Sequence, residues 1–288
     1  MTQPLVIAAP AKINLTLNVL GKRADGYHEL ETVMQQISLA DKIYLQTGGE
    51  GIRVTSNCPG LPDNQDNLAW QAAQLLTAKF SLPAGLHIFI EKNIPIGAGL
   101  AGGSSDAAAV LRGINAGFGL GLPQDELLEL GLALGSDVPF CLLGGTALAR
   151  GRGEILTPLP EGPCLEMVLV KPDYQLSTAE IYRDFRLDRV QDPPDNAAFL
   201  EAWRKCDIIA VAAQMKNVLE TVSITRCPEI SAIKQQLQDL GALHTLMSGS
   251  GPSVVGVFIS RAEAMSAWGI MRDRYRESYQ VSSYNRGD

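Results

Sequence analysis

The segment with the clearest chemical pattern is PIGAGLAGGSSD at residues 95–106, with four glycines between a predicted strand and a predicted helix. Glycine has no Cβ atom, so such a backbone can approach a polyanion closely and turn its N–H groups toward it. The following helix N-terminus adds unpaired N–H groups and the positive end of the helix dipole. The segment therefore predicts a phosphate-binding loop; a tight turn with Ser104 or Ser105 as the helix cap is the simpler alternative.

The sequence on either side of the glycines narrows the class of phosphate-binding loop. Gly97 to Gly102 matches the dinucleotide spacing G-x-G-x-x-G, but the second strand and the acidic residue about 20 positions on are missing. No Gly-Lys-Ser/Thr follows the glycines, and the HRD and DFG signatures of protein kinases are absent. The pattern therefore favours a loop that binds a nucleoside triphosphate in a protein of a different fold from these three classes. A nicotinamide dehydrogenase remains an alternative on the glycine spacing alone.

A second glycine segment, SGSGPS at residues 248–253, connects two predicted strands. An ordinary hairpin turn explains it about as well as a second wall around the same ligand.

Two charged residues suit transfer of a phosphoryl group to a hydroxyl. Asp137 follows the end of a predicted helix, and Lys12 lies on the polar face of a predicted strand. A turn aspartate and a solvated lysine are the ordinary interpretations. Together, a carboxylate can accept the hydroxyl proton while an ammonium stabilises nearby negative charge. Tyr27 and His28 likewise pair an aromatic face with a hydrogen-bonding ring, although a structured loop would also explain them.

The hydrophobic periodicity predicts the elements that must position these residues. In the first half we expect strands at 12–20, 28–39, 42–47, 51–56 and 86–95, helices from Asn67, after the glycine loop and from Pro123 to near Gly135, and a strand–turn–strand over 136–157. In the second half we expect strands at 164–171, 243–247, 253–259 and 280–284 and helices at 228–240 and 261–275. The order of these strands and helices in the second half predicts a ferredoxin-like split βαβ unit. Prolines at 158, 160 and 163 predict a boundary between an N-terminal domain, 1–158, and a C-terminal domain, 159–288.

The composition bounds the class of protein. The 288 residues carry a net charge of −7 and are 46% apolar, which excludes a disordered chain and argues against a nucleic-acid-binding protein. The five cysteines are widely spaced and form no CxxC pair, as expected for reduced thiols in the cytoplasm. The sequence contains no apolar run of about 18 residues, so it predicts no membrane-spanning helix.

Three segments resemble the motifs of the GHMP kinases: PAKINLTLNVLG near the N-terminus, PIGAGLAGGSSDAA in the middle and SGSGPSVVGVF near the C-terminus. The resemblance implies an α+β fold with a ribosomal-protein-S5-like N-terminal domain and a ferredoxin-like C-terminal domain, and ATP with Mg²⁺ as the phosphoryl donor. GKRADGYHEL and GSDVPF resemble the members that phosphorylate the 2-hydroxyl of a cytidine-diphosphate-linked methylerythritol on the non-mevalonate route to isoprenoids. A catalytically silent nucleotide-binding member is the alternative within the fold.

The resemblance also implies a role for individual residues. Asp137 would be the base and Lys12 its electrostatic partner, whereas Asn67 and Lys92 would contact the nucleoside of ATP. The substrate would be held by Asn14, Tyr27, His28 and Tyr182, and the ATP phosphates by Pro95, Ile96, Gly97, Ala98, Gly99, Leu100, Ala101, Gly102, Gly103, Ser104 and Ser105. Met34 stands where an aromatic side chain is expected in the substrate pocket. Asp106 is a magnesium ligand or a partner of the helix dipole, and no residue is assigned to the metal.

Overall fold

A computed structural model describes residues 3–82 and 85–284 of the protein. The described residues form two compact units, of which the first draws on residues 3–11, 39–82, 85–94 and 101–144 and the second on 12–38, 95–100 and 145–284. Strands β1 (Leu5–Lys22) and β2 (His28–Thr47) each supply residues to both units. The units are therefore not contiguous in sequence, and the predicted domains 1–158 and 159–288 remain a prediction.

The first unit packs helices on a short stretch of sheet. Residues 42–47 of β2 pair antiparallel with β4 (Leu86–Glu91), which pairs in parallel with β3 (Ile52–Ser56). The helices are α1 (Leu68–Phe80), α2 (Gly102–Gly117), α3 (Gln124–Leu134) and α4 (Val138–Leu143). Alternate residues of β4, such as Ile88 and Ile90, are fully buried with Leu76 and Leu111 from the helices. This burial fixes α2, and with it the end of the glycine loop.

The second unit contains a four-stranded antiparallel sheet. Its strands are β7 (Glu166–Lys171), β9 (His244–Met247), β10 (Val254–Phe258) and β11 (Glu277–Ser282), in the spatial order β11-β7-β10-β9. Helices α9 (Glu229–Asp239) and α10 (Arg261–Met271) provide the crossovers. This order confirms the predicted split βαβ arrangement.

The second unit also contains shorter strands and further α-helices. Residues 30–35 of β2 pair with β5 (Thr146–Gly151), which pairs with β6 (Ile155–Pro158). A two-residue strand, β8 (Lys216–Asn217), runs parallel to β1. The other helices are α5 (Thr178–Asp184), α6 (Asn196–Arg204), α7 (Ile208–Gln214) and α8 (Glu220–Arg226).

Two local predictions are wrong. Residues 138–143 form helix α4 and not the first strand of a strand–turn–strand. The prediction failed because a short apolar run does not distinguish a buried helix from a buried strand. Helix α2 begins at Gly102 after Ala101, whose φ of 54° is left-handed, so Ser104 and Ser105 lie inside the first turn and neither is the cap. In the described parts of the chain, no helix combines the length and apolarity needed to cross a bilayer.

Candidate active site

The first part of the glycine loop, residues 95–100, belongs to the second unit. Gly97 and Gly99 have φ values of 66° and 73°, a region that costs other residues strain. A Cβ on Gly99 would lie 2.5 Å from the carbonyl oxygen of Ser248, and the Ser248 hydroxyl donates to the Gly99 carbonyl at 3.1 Å. The two glycine segments of this unit therefore pack backbone against backbone, and Gly99 is required for that approach.

The second glycine segment is held in place by a buried amide. Asn217 donates from Nδ2 to the carbonyl oxygens of Met247 and Gly249, both at 2.7 Å. Its Oδ1 accepts from the Leu219 N–H at 2.9 Å, which fixes the orientation of the amide. The segment is thus a pinned loop within the second unit.

Helix α2 continues the glycine loop in the first unit. The Ser105 hydroxyl is buried and donates to the Pro10 carbonyl at 2.7 Å, which ties the first turn to β1. Ser104 is partly exposed in the same turn. Since the first N–H groups of a helix have no partner within it, this end suits an anion.

A buried ion triad joins the two ends of the loop. Lys92 donates to Asp41 at 2.5 Å and to Asp106 at 2.7 Å, and the three side chains are 5%, 0% and 2% exposed, respectively. The other oxygen of Asp41 accepts from the backbone N–H groups of Asn93 and Ile94. A Cβ on Gly102 would lie 3.0 Å from the Lys92 ammonium. The chain before the loop and the helix after it are thereby connected through one ammonium group.

The charges of this triad do not balance, and Asp106 shows the consequence. Burial and the Asp41 carboxylate outweigh the attraction of Lys92 and raise the pKa of Asp106 to about 7. Burial opposes the charged form of Lys92, but the two carboxylates prevail and its pKa is raised. The second oxygen of Asp106 is buried without a hydrogen-bond partner in the described structure. The ion pair with Lys92 is neither of the two roles expected for Asp106, a magnesium ligand or a partner of the helix dipole.

Two further predicted residues lie in the first unit. Asn67 is the N-cap of α1: its Oδ1 accepts from the Ala69 N–H, and its Nδ2 donates to the Pro62 carbonyl. Asp137 is half-buried and immediately precedes α4, where its carbonyl accepts from the Cys141 N–H at 3.1 Å. The nucleoside contact of Asn67 and the base role of Asp137 stay predictions.

In the second unit, Lys12 and Asn14 form the start of a polar chain on β1. The buried Lys12 ammonium donates to Asn14 Oδ1 at 2.9 Å, and Asn14 Nδ2 donates to the Thr32 hydroxyl at 2.8 Å. Asn14 is therefore oriented from both sides. The predicted spacing on one strand face places these two side chains together.

His28 lies in a cluster of aromatic side chains. Its ring is 5.2 Å from that of Tyr182 and 6.4 Å from that of Phe185, the latter edge-on. Partial burial, together with the charge of Lys22, lowers the pKa of His28, so the imidazole is neutral near pH 7. Tyr27 is 57% exposed, with Arg152 over its ring, whereas Met34 is buried. Predicted residues from distant positions thus meet within this unit.

Sequence reasoning missed several of these contributors. Asp41 gives little signal beyond being an acidic residue within an otherwise strand-like run, and Asn217 lies in a strand of only two residues. Phe185 follows Tyr182 by three positions, so helical spacing could have indicated it. Arg152 lies in a glycine-flanked turn, with no pattern that points to Tyr27.

Comparisons with known proteins agree with the geometry. Residues 67–145 match the family model of the GHMP kinases N terminal domain, and residues 199–277 match that of the GHMP kinases C terminal domain. The chain is 55% identical over 99% of its length, and over all of the relative, to a 4-diphosphocytidyl-2-C-methyl-D-erythritol kinase of Syntrophomonas wolfei. A protein of the same name from Alkaliphilus oremlandii is 46% identical, with 98% of each chain covered.

Two solved structures share the fold of this chain. A crystal structure of 4-(cytidine 5'-diphospho)-2C-methyl-D-erythritol kinase aligns with a TM-score of 0.85 at 34% identity, over 98% of this chain and all of the other. Homoserine kinase from Cytophaga hutchinsonii aligns with a TM-score of 0.78 at 20% identity, over 99% and 96% of the two chains. The second likeness supports the fold alone, and the α+β two-domain fold is confirmed.

Proposed function

The chain belongs to the GHMP kinase family, and we propose that it transfers the γ-phosphoryl group of ATP to the 2-hydroxyl of 4-diphosphocytidyl-2-C-methyl-D-erythritol, a step of non-mevalonate isoprenoid precursor synthesis. The observation that carries this proposal is the 55% identity, over 99% of the chain, to a relative with this kinase name. The glycine loop and the aromatic cluster around His28 support it from the chemistry of the residues.

In the proposed reaction, Asp137 accepts the proton of the 2-hydroxyl as the hydroxyl oxygen attacks the γ-phosphorus. The bond from that phosphorus to the β–γ bridging oxygen breaks, and ADP leaves with the electron pair. Lys12 stabilises negative charge on the transferred group. Its hydrogen bond to Asn14 holds the ammonium in one direction, so little reorganisation is needed during the reaction.

The phosphates of ATP would bind the glycine loop and the first turn of α2. Backbone N–H groups within residues 96–104 would donate to the phosphate oxygens, and the α2 dipole favours their charge. The triad of Lys92, Asp41 and Asp106 fixes the distance between the two ends of this loop. We propose Asn67 and Lys92 as contacts of the nucleoside.

The donor set fits magnesium bound mainly through ATP. Among the described residues there is no group of three or more His, Cys, Asp or Glu side chains that could hold a metal. Mg²⁺ commonly uses phosphate oxygens, waters and one or two protein oxygens, so such a group is not required. The partly exposed Ser104 hydroxyl would be the protein ligand. When bound, the ion would supply charge neutralisation for the phosphates of ATP.

For the second substrate, the cytosine ring would stack between Tyr27 and Tyr182. The neutral imidazole of His28 has one donor and one acceptor nitrogen, which suits the hydrogen-bonding edge of a base. The lowered pKa of His28 keeps this pattern near neutral pH. Asn14 would orient the methylerythritol portion.

The test is release of ADP with a panel of alcohols. We expect turnover with Mg²⁺-ATP and 4-diphosphocytidyl-2-C-methyl-D-erythritol, a product whose new phosphate ester is at the 2-position by phosphorus NMR, and no turnover of mevalonate or homoserine. Turnover of either of the latter in place of the cytidine substrate would refute the assignment. ATP binding without any phosphorylation would favour the silent family member.

A further inference from the structure

The turn that joins β5 to β6 presents an arginine to the ring of Tyr27. The guanidinium carbon of Arg152 lies 4.9 Å from the centroid of that ring. A cation at this distance over an aromatic face is attracted by the electron density of the ring. Both residues belong to the second unit.

The turn is built around one carboxylate that fixes Arg152. Glu154 Oε2 accepts from the Arg152 backbone N–H at 2.5 Å, and Glu154 Oε1 lies 3.9 Å from Arg152 Nε. Gly151 has a φ of 71°, and a Cβ there would lie 2.8 Å from the same carboxylate. The side chain of Glu154 is only 15% exposed. The arginine is therefore directed by a specific local structure.

Sheet register brings this turn to the segment that carries Tyr27. Leu30 pairs with Gly151 and Glu31 with Arg150, so the start of β2 lies beside the end of β5. The charge of Arg152 also acts on Asp25, two residues before Tyr27. Desolvation is the largest single influence there and opposes ionisation, but the Tyr27 N–H, Arg23 and Arg152 together outweigh it and lower the pKa of Asp25.

Such a restraint matters for Tyr27 because this residue lies in a turn and is 57% exposed. An exposed ring has rotamer freedom that is lost when a base stacks on it, and a ring already held in place loses less. We propose that Arg152 is a positioning residue that orients Tyr27 for stacking on the cytosine base; this inference rests on the proposed function.

The test measures KM for each substrate in Arg152→Gln. We expect KM for the cytidine substrate to rise roughly two- to fivefold, the range of an exposed cation–π contact, with kcat and KM for ATP unchanged. Arg152→Lys should restore most of the affinity because it keeps the cation. An unchanged KM for the cytidine substrate in Arg152→Gln would overturn the proposal.

A double-mutant cycle separates action through Tyr27 from any direct role. In a Tyr27→Leu background, Arg152→Gln should raise KM no further, since the ring on which the arginine acts is gone. Inhibition by cytidine and by cytidine 5′-diphosphate should weaken by the same factor in Arg152→Gln. A further increase in the Tyr27→Leu background, or an effect on the diphosphate only, would show direct phosphate binding and refute the inference.

The matched control is Arg272→Gln, which removes an arginine 5.3 Å from the ring of Trp268 on α10. It should leave all kinetic constants unchanged; an equal rise in KM for the cytidine substrate would contradict a specific role of Arg152. Calorimetry with cytidine 5′-diphosphate keeps the two proposals distinguishable. A wild-type protein that binds this nucleotide without turning over the substrate contradicts the proposed function, and equal affinity in Arg152→Gln contradicts the inference.

Discussion

At the scale of single residues, the hydrogen-bond partner of a charged side chain determines which role that side chain can have. Lys12 would be an ordinary lysine on a strand if the sequence were the only information. In the fold it is 5% exposed and donates to Asn14, whose amide is held in turn by Thr32. A buried ammonium with a fixed acceptor points in one direction, which favours a role in stabilising charge over a role in solubility.

Asp137→Asn tests the base at this scale. The amide keeps the size of the side chain but cannot accept the hydroxyl proton, so kcat should fall by roughly 10²- to 10⁴-fold. Affinity for ATP, measured by calorimetry, should change little.

The control is Asp125→Asn, the same chemical change at an exposed aspartate in the first turn of α3. It should retain wild-type kcat. Turnover near the wild-type level in Asp137→Asn would remove Asp137 from the mechanism.

At the scale of elements, the connection from β4 to α2 depends on long-range ion pairs as much as on its glycines. Asp41, from β2, accepts hydrogen bonds from the N–H groups of Asn93 and Ile94, just after β4, and from the ammonium of Lys92. Asp106, from α2, accepts the same ammonium. Three elements thereby converge at the base of the loop. A pair of carboxylates sharing one buried cation carries excess negative charge, which is costly in a dry interior.

Asp106→Asn should make stability less dependent on pH. The native state keeps the Asp106 proton up to about pH 7, whereas the unfolded state loses it near 3.8. In that interval the native state binds more protons, so this group lowers the free energy of unfolding as pH rises. The asparagine variant lacks this titration. Urea unfolding between pH 5 and 8 should show a slope that differs by at most about 1.4 kcal/mol per pH unit, the value for one proton.

Asp66→Asn, at an exposed loop position, is the control and should keep the wild-type pH profile. Identical profiles for Asp106→Asn and wild type would show that Asp106 is ionised throughout this range.

At the scale of the whole molecule, net charge is a poor guide to the ligand. The protein carries a net charge of −7, yet both proposed substrates carry anionic phosphate groups. Backbone N–H groups and a helix N-terminus provide positive potential without any basic side chain, and Lys12 adds one buried cation. The overall charge describes the surface, and a loop of a few glycines determines what binds locally.

The five free thiols give a prediction for the native molecule as a whole. Cys141 and Cys227 are buried, and burial raises the pKa of the Cys227 thiol, so both should resist a thiol reagent. Cys58, Cys164 and Cys206 are half-buried or exposed and should react in the folded protein. Titration with an aromatic disulfide should therefore count three thiols in the native protein and five in denaturant.

Cys206→Ser is the control and should lower the native count by one. Fewer than five thiols in the denatured, unreduced protein would indicate a disulfide and contradict the prediction.

The sequence by itself determined the features that depend on local spacing. The glycine loop follows from four glycines between a strand and a helix, and the split βαβ unit follows from the order of its periodic segments. Alternation on β1 placed Lys12 and Asn14 on one face before any contact was known. In these cases the backbone preference resides in consecutive residues, so one chain segment is enough to reveal it.

Only the tertiary structure decided the features that depend on distant partners. The apolar run at 138–143 forms helix α4. A run this short fits a buried helix or a buried strand, so the local pattern does not choose between them. The triad joins residues 41, 92 and 106, and the Tyr27–Arg152 pair spans more than a hundred positions. Such contacts arise from strand register and helix packing, and spacing along the chain carries no record of which charged side chains will meet.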